Sequence, residues 1–195
     1  MTKIIGLTGG IGSGKTTIAK HLKSLGIPVY NSDEQAKKIL CLPKTVSSIK
    51  SVFGISVFTD DLLDKEKLSK LVFNNPEQLK LLNNIIHPAI KTDFENWINQ
   101  NKNSPLVIKE TAILFESGSY KDCDAIISIS APQEIRIQRV IERDHLTYDE
   151  VMSRINNQWT DQMRKNKSDY VVDNQVIKKA CTQTENYIKI LLNYK

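Results

Sequence analysis

The segment Gly9-Gly10-Ile11-Gly12-Ser13-Gly14-Lys15-Thr16 fits the pattern G-x-x-x-x-G-K-[ST] and lies between an apolar run, Lys3 to Thr8, and an amphipathic one, Lys15 to Leu25. That context predicts a strand, a tight turn and a helix in immediate succession. Glycines at these positions let the backbone curl with its N–H groups directed inward, and the positive end of the following helix adds to the same field. The product is an anion nest. Lys15 extends its charge toward the β- and γ-phosphates of a nucleoside triphosphate, and the Thr16 hydroxyl is suited to ligate Mg²⁺. A dinucleotide fits less well, because a G-x-G-x-x-G reading from Gly10 requires glycine where Lys15 stands.

Ile18, Ala19, Leu22 and Leu25 share one face of the helix, and Gly26 suits its C-terminal end. Ile27-Pro28-Val29-Tyr30 reads as a second strand, so the chain opens with a βαβ unit. From Asp33 to about Gln100 the periodicity is helical, with candidates at Asp33 to Leu42, Thr45 to Phe53, Lys65 to Phe73, Pro76 to Ile86 and Ala89 to Trp97. Asn75-Pro76 supplies a cap followed by proline at the first helical position. Leu106 to Ile108, Ala125 to Ile129 and Tyr170 to Val172 return to strand-like runs, Gln133 to Arg143 is helical, and a terminal helix follows. Asn99 to Ser104 and Asn156 to Lys167 are polar enough to be loops. Strands alternating with helices predict an α/β fold with a mainly parallel sheet covered on both faces and a helical insert.

A chain of 195 residues, 40% apolar, builds one core without staples. Its apolar stretches stop well short of the roughly 20 residues a bilayer requires. The N-terminal residues run straight into the glycine turn and show no secretory signal, so the expected location is the cytoplasm. Cys41, Cys123 and Cys181 form no Cys-x-x-Cys pair, which fits a reducing compartment and packing roles. The net charge of +5 comes from 27 Lys+Arg interleaved with 22 Asp+Glu rather than from a basic run, so a small polyanion explains it as well as nucleic acid does.

Loops of this kind serve switches, motors and small-molecule kinases. Asn166-Lys167-Ser168-Asp169 imitates a guanine-reading N-K-x-D, but it precedes a strand instead of ending one, and no D-x-x-G occurs in the chain. Asp33 follows the second strand, where strand ends converge on a ligand crevice; it either takes a proton from an acceptor hydroxyl or caps the next helix. Glu110, after an apolar strand, is a candidate to hold Mg²⁺ through water, with Glu116 as its rival. Arg139 and Arg143 lie one turn apart on one helix face, open either to phosphate or to solvent. His87 precedes Pro88 at an expected helix junction, and Trp97 and Trp159 read as packing residues before adenine-stacking ones.

Taken together, these segments resemble the bacterial dephospho-CoA kinases from end to end. The likeness rests on Ile5 to Thr17, Ser32-Asp33, Ile85-Ile86-His87-Pro88, Ala112 to Glu116, Gln138 to Asp144 and Ser168 to Asn174, which occur in that family's order and spacing. The resemblance implies transfer of the ATP γ-phosphoryl group to the ribose 3′-hydroxyl of dephospho-CoA, giving CoA and ADP in the last step of CoA biosynthesis. It implies Asp33, Lys15 and Arg143 as catalytic residues, and Gly10, Gly12, Ser13, Gly14, Lys15, Thr16 and Thr17 as the ATP site. It also implies His87 and Arg139 on the substrate or lid side, and Mg²⁺ on Thr16. The expected organisation is one domain: a P-loop core (about 1–34, 104–138 and 170–195), a helical CoA-binding insert (about 35–103) and a helical lid (about 139–169). Partners are small molecules, with neither nucleic acid nor membrane, and the sequence leaves monomer or homo-oligomer open. Ala112 departs from a proline common in the family, which bears on the loop after the third core strand.

Overall fold

The run Ile4-Ile5-Gly6-Leu7 is apolar without alternation, the pattern of a strand covered on both faces. In the computed structural model, which describes residues 2–73 and 75–193, it forms the centre of a parallel sheet. The last two residues of the expected core segment 170–195 lie outside the described residues. The elements are β1 (Lys3–Thr8), α1 (Lys15–Ser24), β2 (Val29–Asn31), α2 (Ser32–Ile39), α3 (Pro43–Phe53), β3 (Phe58–Thr59), β4 (Leu62–Leu63), α4 (Lys65–Phe73) and α5 (Pro76–Gln100). Then come β5 (Leu106–Glu110), β6 (Ala125–Ser130), α6 (Gln133–Asp144), α7 (Tyr148–Asn156), α8 (Asp161–Lys167), β7 (Tyr170–Asp173) and α9 (Ile177–Asn193). The chain divides into two compact units, one of residues up to 31 together with those from 101 onward, the other of residues 32–100.

In the first unit the described strands run in the order β2-β5-β1-β6-β7, all parallel. Ile5, Leu7, Ile18, Leu22, Ile108 and Ile127 are fully buried where α1 and α9 cover the sheet. Each such side chain contributes about 1.5–3 kcal/mol of transfer free energy. The register sets Leu7 and Asn31 both opposite Glu110, so the carboxyl ends of β1, β2 and β5 are level. The glycine turn departs from that edge. On α6, Ile137 and Val140 pack against Val151 of α7. Helix α7 is closed by a capping box in which Thr147 accepts the Glu150 N–H and Glu150 accepts the Thr147 N–H.

The second unit packs Ile49, Phe53, Val57, Phe58, Leu68 and Val72 into its own core. Asn75 caps α5 as expected, its Oδ1 accepting from the N–H groups of Glu77 and Gln78 at 3.1 Å. The two helices expected on either side of His87-Pro88 are one helix of 25 residues, with Pro88 inside it. Proline removes a single ladder bond there, and the helical turns on both sides are long enough to carry the interruption. A small hairpin, β3–β4, was not foreseen. Asp60 and Asp61 make its two-residue turn with positive φ (48° and 60°), a conformation usually given to Asn-Gly or Asp-Gly. Cys41 is exposed rather than packed, whereas burial pushes the Cys123 thiol up to about 11. Among the described residues, no helix is long and apolar enough to cross a membrane.

Candidate active site

Gly12 and Gly14 hold positive φ (77° and 86°), which is what lets the turn after β1 reverse before α1 begins. Gly14 is the N-cap of α1, and it supplies no side-chain acceptor to the first helical N–H groups. A helix start that no side chain caps is the kind of end that receives an anion. The turn itself is closed by the Ser13 N–H donating to the Gly10 carbonyl at 3.0 Å. Just after β7, the buried Asn174 donates through Nδ2 to the Ser13 carbonyl at 2.8 Å, and its own backbone carbonyl accepts from Arg139 Nη2 at 2.9 Å. Arg139 thus stands beside the loop.

Glu110 is the electrostatic centre of this edge. It is 1% exposed, and its Oε1 accepts from Lys15 Nζ at 2.9 Å and from Thr16 Oγ1 at 2.7 Å, while Oε2 accepts from Asn31 Nδ2 at 3.0 Å. One buried carboxylate gathers the loop lysine, the loop hydroxyl and the end of β2. Its rival Glu116 is turned elsewhere: Oε1 accepts the Trp159 N–H at 2.9 Å and lies 4.0 Å from Arg164 Nη1. Asn31 is the residue that sequence reasoning missed here. A polar side chain closing a strand two residues before Asp33 was the available signal.

The oxygen-only donors Thr16 and Glu110 suit a hard divalent cation. Among the described residues there is no cluster of three or more His, Cys, Asp or Glu to form an all-protein cage. Several buried polar atoms around the loop have no hydrogen-bond partner, namely Thr8 Oγ1, Ser13 Oγ, Arg139 Nη1 and Asn174 Oδ1. Unsatisfied polar groups concentrated at one place mark a site made for a polar ligand.

Arg143 is placed differently from Arg139. Its side chain is 62% exposed, and its guanidinium makes a two-pronged pair with Asp144 at 2.7 and 2.8 Å, which raises the arginine's pKa and lowers the aspartate's. Asp33 lies in the first turn of α2, and His87 lies within α5, where burial lowers its pKa and favours the neutral ring. Trp159 stacks on Phe115 at 5.3 Å, and Trp97 on Phe94 at 6.1 Å, so both rings pack as expected. Asp169, the end of the guanine-reading look-alike, accepts the Ile126 N–H at 2.8 Å instead.

A parallel sheet with a phosphate loop after its central strand, together with this lysine, hydroxyl and carboxylate, defines a P-loop kinase. The sequence profile of the dephospho-CoA kinase family matches residues 3–179. A dephospho-CoA kinase from Bacteroides fragilis is 33% identical over 188 residues, spanning 96% of this chain and 92% of its own. A crystal structure from Thermus thermophilus superposes with a TM-score of 0.91 at 30% identity, and the dephospho-CoA kinase from Campylobacter jejuni with 0.71 at 25%; both comparisons cover 98% of each chain. The chain belongs to the dephospho-CoA kinase family, enzymes of the last step of CoA biosynthesis.

Proposed function

We propose that this chain carries out its family's reaction with Asp33 as base and Lys15 as the principal triphosphate ligand. A new bond forms between the ribose 3′-oxygen of dephospho-CoA and the γ-phosphorus of ATP. The bond from that phosphorus to the β–γ bridging oxygen breaks, the hydroxyl proton passes to the Asp33 carboxylate, and ADP leaves. The observation that carries this reading is the buried Glu110 constellation: it holds Lys15 and Thr16 at the mouth of the glycine turn. On triphosphate binding, Lys15 exchanges its carboxylate partner for phosphate oxygens, and amides of the glycine turn other than those of Ile11, Ser13 and Thr17, which already donate within the protein, take the remainder. Thr16 directly, and Glu110 through water, would hold Mg²⁺, which would supply positive charge against the triphosphate. Arg139, beside the loop, adds to charge stabilisation on the moving group. Arg143 joins it only when its pair with Asp144 opens, so its part belongs to closure of the first portion of the lid (about 139–169), ahead of the stretch from Gln158 onward that rests on the glycine turn. The P-loop core comprises about 1–34, 104–138 and 170–195. The work is cytoplasmic, and the partners are ATP and dephospho-CoA.

The helical insert, about 35–103, is assigned to the acceptor. Within it, Ile39, Leu42, Ile85, Pro88 and Ala89 line a cavity of about 400 Å³ with Thr45 and Asp93 among its polar walls. An apolar slot with a few polar groups suits a pantetheine arm. His87, one residue before Pro88, lies on the same stretch of helix. Ala89→Trp fills this space, and it should raise KM for dephospho-CoA about tenfold or more while KM for ATP stays within about twofold. The experiment that tests the function is an acceptor panel with ADP release as readout. Selective turnover of dephospho-CoA is expected, and preference for a nucleoside monophosphate would overturn the assignment.

A further inference from the structure

Gly10 is not demanded by the phosphate-binding pattern, which fixes only Gly9, Gly14, Lys15 and Thr16. Nor is it demanded by conformation, because positive φ falls on Gly12 and Gly14 and not on Gly10. Its missing side chain serves a close approach. A Cβ there would collide with Arg136 Nη1 and come within 2.6 Å of Arg164 Nη2. Both arginines are buried, at 3% and 2% exposure, although they carry full charge.

Charges at that depth persist only with partners. Asp161 stands between them: Oδ1 accepts from Arg164 Nη2 at 2.5 Å, and Oδ2 lies 3.4 Å from Arg136 Nη2. Glu116 adds a second negative charge 4.0 Å from Arg164 Nη1. Burial lowers the Arg136 pKa, and Asp161 opposes that shift. On the next peptide, the Ile11 N–H donates to Gln158 Oε1 at 2.9 Å, while Arg136 Nη1 lies 3.5 Å from the Ile11 carbonyl. Gln158, Asp161 and Arg164 thus converge from one short stretch on the Gly10-Ile11 turn, and Arg136 meets them there from α6. The far end of the stretch is held too: Trp159 stacks on Phe115, and Lys167 Nζ sits 4.5 Å from the centre of the Tyr120 ring.

We propose that Gln158, Asp161, Arg164 and Arg136 are positioning residues for the phosphate loop, a charge-compensated brace on Gly10-Ile11 that sets the following amides for a triphosphate before it arrives. The proposal rests on the triphosphate reading of the loop given above. The brace acts through the loop and not on the phosphates, so its loss weakens nucleotide binding and spares the acceptor.

The full-length chain is tested by calorimetry with ATP and Mg²⁺ and by steady-state kinetics. Asp161→Asn should raise the Kd for ATP about tenfold or more, with KM for dephospho-CoA unchanged and kcat at saturating ATP within about threefold. A double-mutant cycle gives an independent reading should that variant fail to fold. Gly10→Ala alone should raise the Kd for ATP about tenfold, because the added methyl drives both guanidiniums from their carboxylates. In an Arg136→Gln background, which removes one of the two collisions and leaves that with Arg164, the same methyl should cost about threefold instead of about tenfold. Folded variants that bind ATP like the parent chain, or fully additive losses in the cycle, would overturn the brace. A parent chain that fails to bind ATP would instead remove the triphosphate reading beneath it.

Discussion

Asp33→Asn should lower kcat about 10³-fold while leaving the Kd for ATP within about threefold, as measured by single-turnover phosphoryl transfer and by calorimetry. Asparagine keeps the shape and the capping ability of aspartate but cannot take the acceptor's proton. A loss of that size is about 4 kcal/mol of transition-state stabilisation, within the range of a positioned general base. Asp33 lies in the first turn of α2, where a carboxylate is also favoured by the helix dipole, so the substitution separates two roles. A chemical role predicts collapse of kcat in a protein of nearly unchanged stability. Turnover close to that of the parent chain would leave Asp33 with the helix alone.

The second large effect concerns stability without nucleotide. Glu110→Gln removes the carboxylate that faces Lys15, Thr16 and Asn31 in a setting where Glu110 is 1% and Lys15 8% exposed. An amide turns an N–H₂ group toward at least one of three donors, and the lysine loses its counter-charge. Breaking a buried pair from one side costs about 3 kcal/mol or more, so thermal unfolding without ligand should fall by about 6–12 °C. Saturating ATP should narrow the difference between variant and parent, because its phosphates supply the missing negative charge to Lys15. A melting temperature within about 2 °C of the parent without ligand would show that the pair contributes little.

Legibility from sequence followed how local the deciding interaction was. β1, the glycine turn and α1 were readable because an unbroken apolar run, a fixed spacing and a 3.6-residue stripe are all contiguous. The Asn75-Pro76 cap was readable for the same reason. Helix α8 was not, since Asp161 to Lys167 carries no apolar stripe and owes its place to the Thr160 cap and to burial of Arg164. The Asp60-Asp61 turn lacks the glycine that usually announces such a hairpin. Glu110 was preferred to Glu116 for its place after an apolar strand, but its contacts were out of reach, because they depend on the pairing of β5 with β1, which levels Glu110 with Leu7 across about a hundred residues of chain. Arg136 left a signal that went unused: it lies one turn before Val140 on the buried stripe of α6, where a cation has a reason to be.

The Lys15–Glu110 pair also makes the resting loop selective by valence. A ligand enters only if it outbids a carboxylate already in contact with the lysine, and a small monovalent anion, however abundant, brings too little charge to do so. Polyphosphate tails clear that threshold. The pair at 2.9 Å thereby biases the loop toward solutes that carry several negative charges on adjoining atoms and against the single charges of ordinary salt.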